Sequence, residues 1–276
     1  MSEPASVKQP GSAAAHPLDP LLAPRSLAFI GASQRPNTPG NDTVREALAG
    51  GFSGALYPIN PRYSDVEGLS CFASIDDLPE TVDHVVICVA SAKIEDALAQ
   101  VIQHGARAAT IFASCHLERD RAPALSKRIA AMAREAGIAI CGGNCMGFVN
   151  KEIGLRVAAY PCHTDAKVGP ITWIAQSGSV YGALAFNDPR LKFNLCVSSG
   201  GEFVTRSSDY LEWALRREST GVVGLFIESI RDPEGFEAAL AEAAGRETSV
   251  PIHYGCYLQR RTHSVVCLLP VQPKSR

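Results

Sequence analysis

Four stretches of this sequence carry residues that can do chemistry, and each follows an apolar run. Ser26-Leu27-Ala28-Phe29-Ile30 runs into Gly31-Ala32-Ser33, and Ile171-Thr172-Trp173-Ile174 leads to Gln176-Ser177-Gly178-Ser179. Leu195-Cys196-Val197 opens onto Ser198-Ser199-Gly200-Gly201-Glu202, and the run from Val222 to Ile227 stops at Glu228. Small residues and hydroxyls in a strand-to-helix turn let an anion approach backbone N–H groups that the helix dipole already favours. A carboxylate at the end of a buried strand can orient a histidine and fix its tautomer. Each stretch also has a plainer reading. Gly31-Ala32-Ser33 can be an ordinary tight connection, and Gln176 to Ser179 a capped helix start. Glu202 can be a first-turn carboxylate, and Glu228 the partner of Arg231 in a salt bridge.

Other chemistries fit these residues less well. G-A-S-Q-R-P lacks the second and third glycines of the dinucleotide fingerprint, and no ribose-binding acid is evident, which disfavours an NAD(P)-dependent oxidoreductase. A serine hydrolase around Ser177 needs glycine where the chain has Ala175, and no Asp-then-His order follows. The nine cysteines include no CxxC pair. Cys141 and Cys145 flank a Gly-Gly-Asn turn but lack two further ligands at zinc spacing, so no metal is expected. Cys88, inside an apolar run, reads as a small hydrophobe, and reduced thiols place the protein in the cytoplasm.

The turns need a scaffold that lines them up. Strand-like runs at Ser26–Ile30, Ala55–Ile59, Val85–Val89, Ala108–Phe112 and Ile138–Cys141 alternate with helical stripes. One helix is expected from Asn41 or Asp42 to Gly50. A second is capped by Ser91 and closed by Gly105, and a third ends at Gly137. After a loop through Tyr160-Pro161 the pattern restarts: strands at 171–174, 195–197 and 222–227, and helices at 180–186, around Leu211 and Leu215, and from Pro233 to Gly245. The fold class is α/β: two doubly wound parallel-sheet modules, which gather ligands at the carboxyl ends of their strands. Residues 1–18, rich in Ala, Pro, Ser and Gly, read as a flexible leader. Residues 19–155 form the first module, 165–250 an incomplete second one, and 251–276 an atypical tail.

Composition narrows the partners. The 276 residues are 46% hydrophobic and 20% charged, enough apolar content for two cores. A net charge of −2 gives no basic excess for nucleic acid or an anionic membrane surface. No run approaches the ~20 apolar residues of a membrane span. The last alanine is Ala244 and the last acid Glu247, so the tail differs in kind from the rest.

The stretches Phe29-Ile30-Gly31-Ala32-Ser33, Leu56-Tyr57-Pro58-Ile59-Asn60-Pro61 and Gly143-Asn144-Cys145-Met146-Gly147 occur in order with three more. These are Ala175-Gln176-Ser177-Gly178-Ser179, Ser198-Ser199-Gly200-Gly201-Glu202 and Phe226-Ile227-Glu228-Ser229-Ile230-Arg231-Asp232-Pro233. Together they resemble the α-type part of the NDP-forming acyl-CoA synthetases, relatives of the succinyl-CoA synthetase α subunit. The match runs over residues 20 to 250, with Gly143 standing where the family usually has proline. The resemblance implies a Rossmann-like CoA-binding module followed by a flavodoxin-like one. It implies the joining of a small carboxylic acid to coenzyme A at the expense of ATP or GTP, through an acyl phosphate and a phosphohistidine. The nucleotide and its magnesium would sit on an ATP-grasp (β-type) subunit or domain that this sequence does not contain.

By the same resemblance, Gly31, Ala32, Ser33, Asn60, Val89, Ala90 and Asn144 line the CoA site. Gln176, Ser177, Gly178 and Ser179, with Glu202, form the phosphate loop, and Glu228 holds the histidine. The family's histidine, in a Ser-His-Thr-Gly-like turn behind a Gly-Arg helix, has no counterpart. His263 has a serine after it but no glycine two residues on. The end of the chain therefore reads as truncated or frame-shifted from about residue 252, a point that translating the downstream DNA in the other frames tests. A non-catalytic CoA- or nucleotide-binding module is the alternative function.

Overall fold

The computed structural model describes residues 15–162, 167–187, 190–246, 248–255 and 264–267. A short helix, α1 (Asp19–Leu22), precedes the first sheet. The chain then runs through β1 (Ser26–Ile30), α2 (Pro39–Ala49), β2 (Ala55–Ile59), a small hairpin of β3 (Asp65–Val66) and β4 (Leu69–Ser70), and β5 (His84–Ile87). It continues through α3 (Ile94–His104), β6 (Ala108–Ile111), α4 (Leu125–Ala136) and β7 (Ala139–Gly142). The five long strands pair in parallel in the order β2-β1-β5-β6-β7. β5 and β6 are buried along their whole length, as apolar runs such as Val85-Val86-Ile87 require of central parallel strands. The order reverses between β1 and β5, so the crevice of this sheet opens above those two strands.

Several boundaries move from their expected places, for local reasons. Helix α2 starts at Pro39 rather than at Asn41 or Asp42. Proline fits the first helical turn because its missing N–H has no intrahelical partner there. Asn41 and Asp42, read as caps, are instead buried in that turn. Ser91 belongs to a short 3-10 turn, Ser91–Lys93, that leads into α3, and β5 stops at Ile87 rather than Val89. The leader expected through residue 18 is packed at its end, where His16 and Leu18 are buried.

The second sheet begins before the expected boundary. An unanticipated hairpin of β8 (Gly147–Asn150) and β9 (Leu155–Val157) comes first. It is followed by β10 (Ile171–Ala175), α5 (Gly178–Asn187), β11 (Phe193–Ser198), α6 (Ser207–Leu215), β12 (Val222–Ile227) and α7 (Pro233–Gly245). Two further strands, β13 (Ile252–Gly255) and β14 (Ser264–Cys267), extend the sheet where the chain was expected to depart from pattern. The order is β14-β13-β12-β10-β11-β8-β9. Strands β10 to β13 run parallel as 2-1-3-4, and antiparallel strands close both sides. His263 lies outside the described residues.

One apolar core spans both sheets. Leu21, Leu27, Phe29 and Val44 from the first module share it with Phe148, Val157, Ile174, Leu195, Leu211 and Trp213 from the second. α1 is the wedge. Asp19 accepts the Trp213 indole N–H at 2.9 Å, and the Leu22 carbonyl accepts the Asn150 carboxamide at 2.8 Å. These bonds tie α1 to α6 and β8 of the second module.

Candidate functional site

At the carboxyl edge of the first sheet, Gly31 leaves β1 with φ +86°, a backbone conformation that favours glycine. A Cβ there would lie 2.9 Å from Val89 Cγ1 and 3.0 Å from the Cys88 carbonyl oxygen, so the turn presses on the end of β5. Gly40 closes the other side, where a Cβ would stand 2.0 Å from the Gly31 carbonyl oxygen. Asn60, just past β2, donates to the Ala32 carbonyl at 2.7 Å, and Asn41 donates to that of Ser33 at 2.9 Å. The structure thus brings Gly31, Ala32, Ser33, Asn60 and Val89 to one crevice at the switch point, with Ala90 exposed beside Val89.

The floor of that crevice is already hydrogen-bonded. The Gly31 N–H donates to the Ile59 carbonyl at 3.0 Å, that of Ala32 to Phe29 at 3.3 Å, and that of Ser33 to Gly40 at 3.3 Å. An anion arriving here therefore meets a close, flat backbone rather than a nest of free donors. Its charge must be answered by side chains and by the first turn of α2.

Asn144 sits elsewhere, at the junction of the modules. Its N–H donates to the Ala113 carbonyl at 2.9 Å, at the end of β6, while its side chain is exposed. The same loop joins the second module. Gly201 N–H donates to the Gly143 carbonyl at 2.7 Å, Phe203 N–H to that of Gly142 at 3.1 Å, and Met146 N–H to Ser198 Oγ at 3.1 Å.

The carboxyl edge of the second sheet gathers Gln176, Ser177, Glu202 and Glu228 from three different strands. Gln176, which follows β10, is buried, and its carboxamide is committed to the end of β12. Its Oε1 accepts the N–H groups of Glu228 at 2.7 Å and Ser229 at 2.9 Å, and its Nε2 donates to the Ser229 carbonyl at 2.8 Å. The cradle expected of this turn is thereby left to Ser177, Gly178 and Ser179, at the start of α5. There Ser177 Oγ accepts the Val180 N–H at 3.5 Å. Glu228 is exposed at the rim, and among the described residues no ion pair joins it to Arg231.

Glu202 does not lie in a helical first turn. It is buried between β11 and α6, where its Oε1 accepts the hydroxyls of Ser199, at 2.8 Å, and Ser207. Its Oε2 has no hydrogen-bond partner among the described residues. Burial raises its pKa above the ordinary glutamate value, and the hydroxyls of Ser207 and Ser199 pull it only partly back. Ser207 is a residue that spacing alone did not mark, although a Ser-Ser pair opening a helix is a usable signal. Asp232 caps α7 and joins it to α6, accepting the N–H of Gly235 at 3.2 Å and the Ser208 hydroxyl at 3.2 Å. The Gly235 N–H holds the Asp232 carboxyl below its usual range.

Cys141 and Cys145 are buried thiols, and Cys145 donates to the Ile111 carbonyl at 3.5 Å. Among the described residues no group of three or more His, Cys, Asp or Glu side chains is arranged to hold a metal ion. No helix among them is long and apolar enough to cross a membrane.

Comparison with known proteins gives this geometry a setting. Residues 25–151 match the CoA binding domain, and residues 168–255 match the succinyl-CoA ligase like flavodoxin domain. A trans-feruloyl-CoA synthase from an unknown prokaryotic organism is 33% identical over 246 residues, covering 86% of this chain and 35% of that protein. The ADP-forming acetate–CoA ligase II of Archaeoglobus fulgidus is 31% identical over 221 residues, 78% of this chain and 33% of the relative. The chain thus spans about a third of the length of these curated relatives. The apo form of the dinucleotide forming acetyl-coenzyme A synthetase 1 of Ca. Korarchaeum cryptofilum superposes with a TM-score of 0.78 at 26% identity. That superposition covers 86% of this chain and 52% of that one.

Proposed function

We propose that this chain, which carries the paired modules of the α-type part of the NDP-forming acyl-CoA synthetases, is the CoA-binding component of such an enzyme. In this reading CoA lies in the switch-point crevice over Gly31, Ala32 and Ser33, with Asn60, Val89 and Ala90 around it. A small carboxylic acid reaches the second edge as its acyl phosphate. The observation that carries the reading is the junction of the two edges through Gly201 N–H to Gly143 O at 2.7 Å and Met146 N–H to Ser198 Oγ at 3.1 Å. A thiol held by one module can meet an acyl phosphate held by the other only if the two edges are fixed at short range, and these bonds fix them.

Ser177, Gly178 and Ser179 stand where a phosphoryl group would be cradled by the start of a helix. Glu228, exposed at the rim with its backbone clamped by Gln176, is the carboxylate positioned to hold the imidazole that ferries phosphate. No described residue is assigned that imidazole. Nucleotide and magnesium belong in this reading to an ATP-grasp partner. The oxidoreductase alternative loses ground, because its glycine fingerprint is broken and residues 25–151 match a CoA binding domain.

Calorimetric titration of the purified chain with CoA and with NADH is the test, run beside incubation with labelled ATP and CoA. CoA binding without response to NADH supports the component. NADH binding without response to CoA overturns it. With an ATP-grasp subunit of a relative supplied, acid-labile phosphate on the chain supports a phosphate-relaying component, whereas CoA binding without phosphorylation supports the binding module alone.

A further inference from the structure

In the CoA reading the first edge takes a phosphate over a floor whose N–H groups are already hydrogen-bonded, so the cations around it would carry the recognition. Among the described residues, nearly every arginine is engaged: Arg25 and Arg107 by Asp83, Arg121 and Arg128 by Glu95, Arg134 by the Phe203 carbonyl. Those with neither an ion pair nor a side-chain hydrogen bond are Arg35, Arg62, Arg119 and Arg231. All four leave from loops at the carboxyl ends of strands, and two of them flank the crevice. Arg35 follows β1, its N–H held by Ser33 Oγ at 3.0 Å; Arg62 follows β2, its N–H held by Asn60 Oδ1 at 3.0 Å. Each backbone is pinned by a crevice residue while the guanidinium stays exposed.

We propose that Arg35 and Arg62 are the specificity-determining pair of this crevice, gripping the 3′-phosphate of CoA and rejecting ligands that lack it. The proposal rests on the CoA reading above. CoA carries two kinds of phosphate. Its pyrophosphate lies mid-chain, with one charge per phosphorus, and has to reach the floor of a site. Its 3′-phosphate is a terminal monoester with a charge of about −1.5 to −2 near neutral pH, and it can stay at a solvent-facing rim. Exposed, planar, always-charged groups with paired donors suit that monoester, and neither guanidinium has a salt bridge to give up, the nearby carboxylates of Asp65 and Glu67 being held by Gln34 and Asn41.

The experiment compares CoA with 3′-dephospho-CoA by calorimetry on the full chain. It uses Arg35→Met, Arg62→Met and the corresponding lysine variants, with Arg231→Met as a control at the other edge. Both loops are exposed, and unchanged circular dichroism and melting verify the fold of each variant. The wild type is expected to favour CoA over 3′-dephospho-CoA on the order of 100-fold, and each methionine to weaken CoA binding about tenfold while leaving the dephospho form within about twofold. Lysine recovers part of the loss, 0.5 M salt narrows the preference, and Arg231→Met changes neither ligand. Equal binding of the two ligands by the wild type overturns the proposal. So does an equal loss for both in the variants, which would place the arginines on the pyrophosphate. Failure of the wild type to bind either ligand is a separate result, and it overturns the CoA reading itself.

Discussion

At the first edge the space around the turn is filled by backbone, with Gly40 pressed against Gly31 and Ala32. At the second edge the corresponding space is filled by buried polar side chains, the Gln176 carboxamide and the Glu202 carboxylate. The first turn is held by contacts that an added Cβ at Gly31 or Gly40 would break. The second is held by hydrogen bonds whose removal leaves buried groups unpaired, and Glu228 rides on them. Two edges of similar topology therefore fail in different ways: one by overfilling, the other by emptying.

The largest expected effect comes from overfilling the first edge. Gly40→Ala puts a Cβ 2.0 Å from the Gly31 carbonyl oxygen, and both partners are backbone. A loss of roughly 3 to 4 kcal/mol in urea denaturation is expected, with CoA binding impaired in the fraction that remains folded. A near-neutral result would mean that the turn is soft, and the contrast between the edges would collapse. Emptying the second edge comes next. Gln176→Leu leaves the N–H groups of Glu228 and Ser229 and the Ser229 carbonyl without their partner. It should cost about 2 to 3 kcal/mol while CoA affinity in the folded protein stays unchanged. Loss of CoA affinity would show the edges to be energetically linked.

Asn60→Ala removes two bonds from a half-exposed side chain, where water can replace them, and about 1 kcal/mol is expected. The smallest effect is a pH dependence. The Glu202 carboxyl is raised above its unfolded value, so its contribution to stability is fully present below the ordinary glutamate range. That contribution is lost as pH rises through the folded value. Wild-type stability should fall relative to Glu202→Gln as pH is taken from 4 to 8. A parallel pair of stability curves would show that Glu202 keeps an ordinary pKa.

Most of the strand plan was legible, because runs such as Val85-Val86-Ile87 and Val222 to Ile227 can be buried on both faces only in a sheet interior. The β8–β9 hairpin was not. Gly147-Phe148-Val149-Asn150 is too short to show a period, and it pairs with β11, 45 to 51 residues further on. Helix α2 misled through Asn41 and Asp42, whose types cap helices, although Pro39 was the better signal. The site was legible as a set of turns and illegible as a division of labour. Residue type marks Gln176 as a hydrogen-bonding side chain. Only the neighbouring position of β12 turns its carboxamide toward Glu228 and away from a ligand. Likewise nothing in the spacing distinguishes Arg35 from Arg45; what separates them is that Asp42 lies 2.7 Å from Arg45, while no acid among the described residues pairs with Arg35.

The wedge formed by α1 carries a consequence for how such a chain can be divided. With Asp19 bonded to Trp213 and Leu22 to Asn150, the shared core has no seam at the junction of the two family matches. Calorimetry should record one melting transition rather than two. A gene fragment ending at residue 151 would expose half of a core instead of releasing an independent CoA-binding domain. Cutting the chain between the two matched regions would separate side chains that pack in one core.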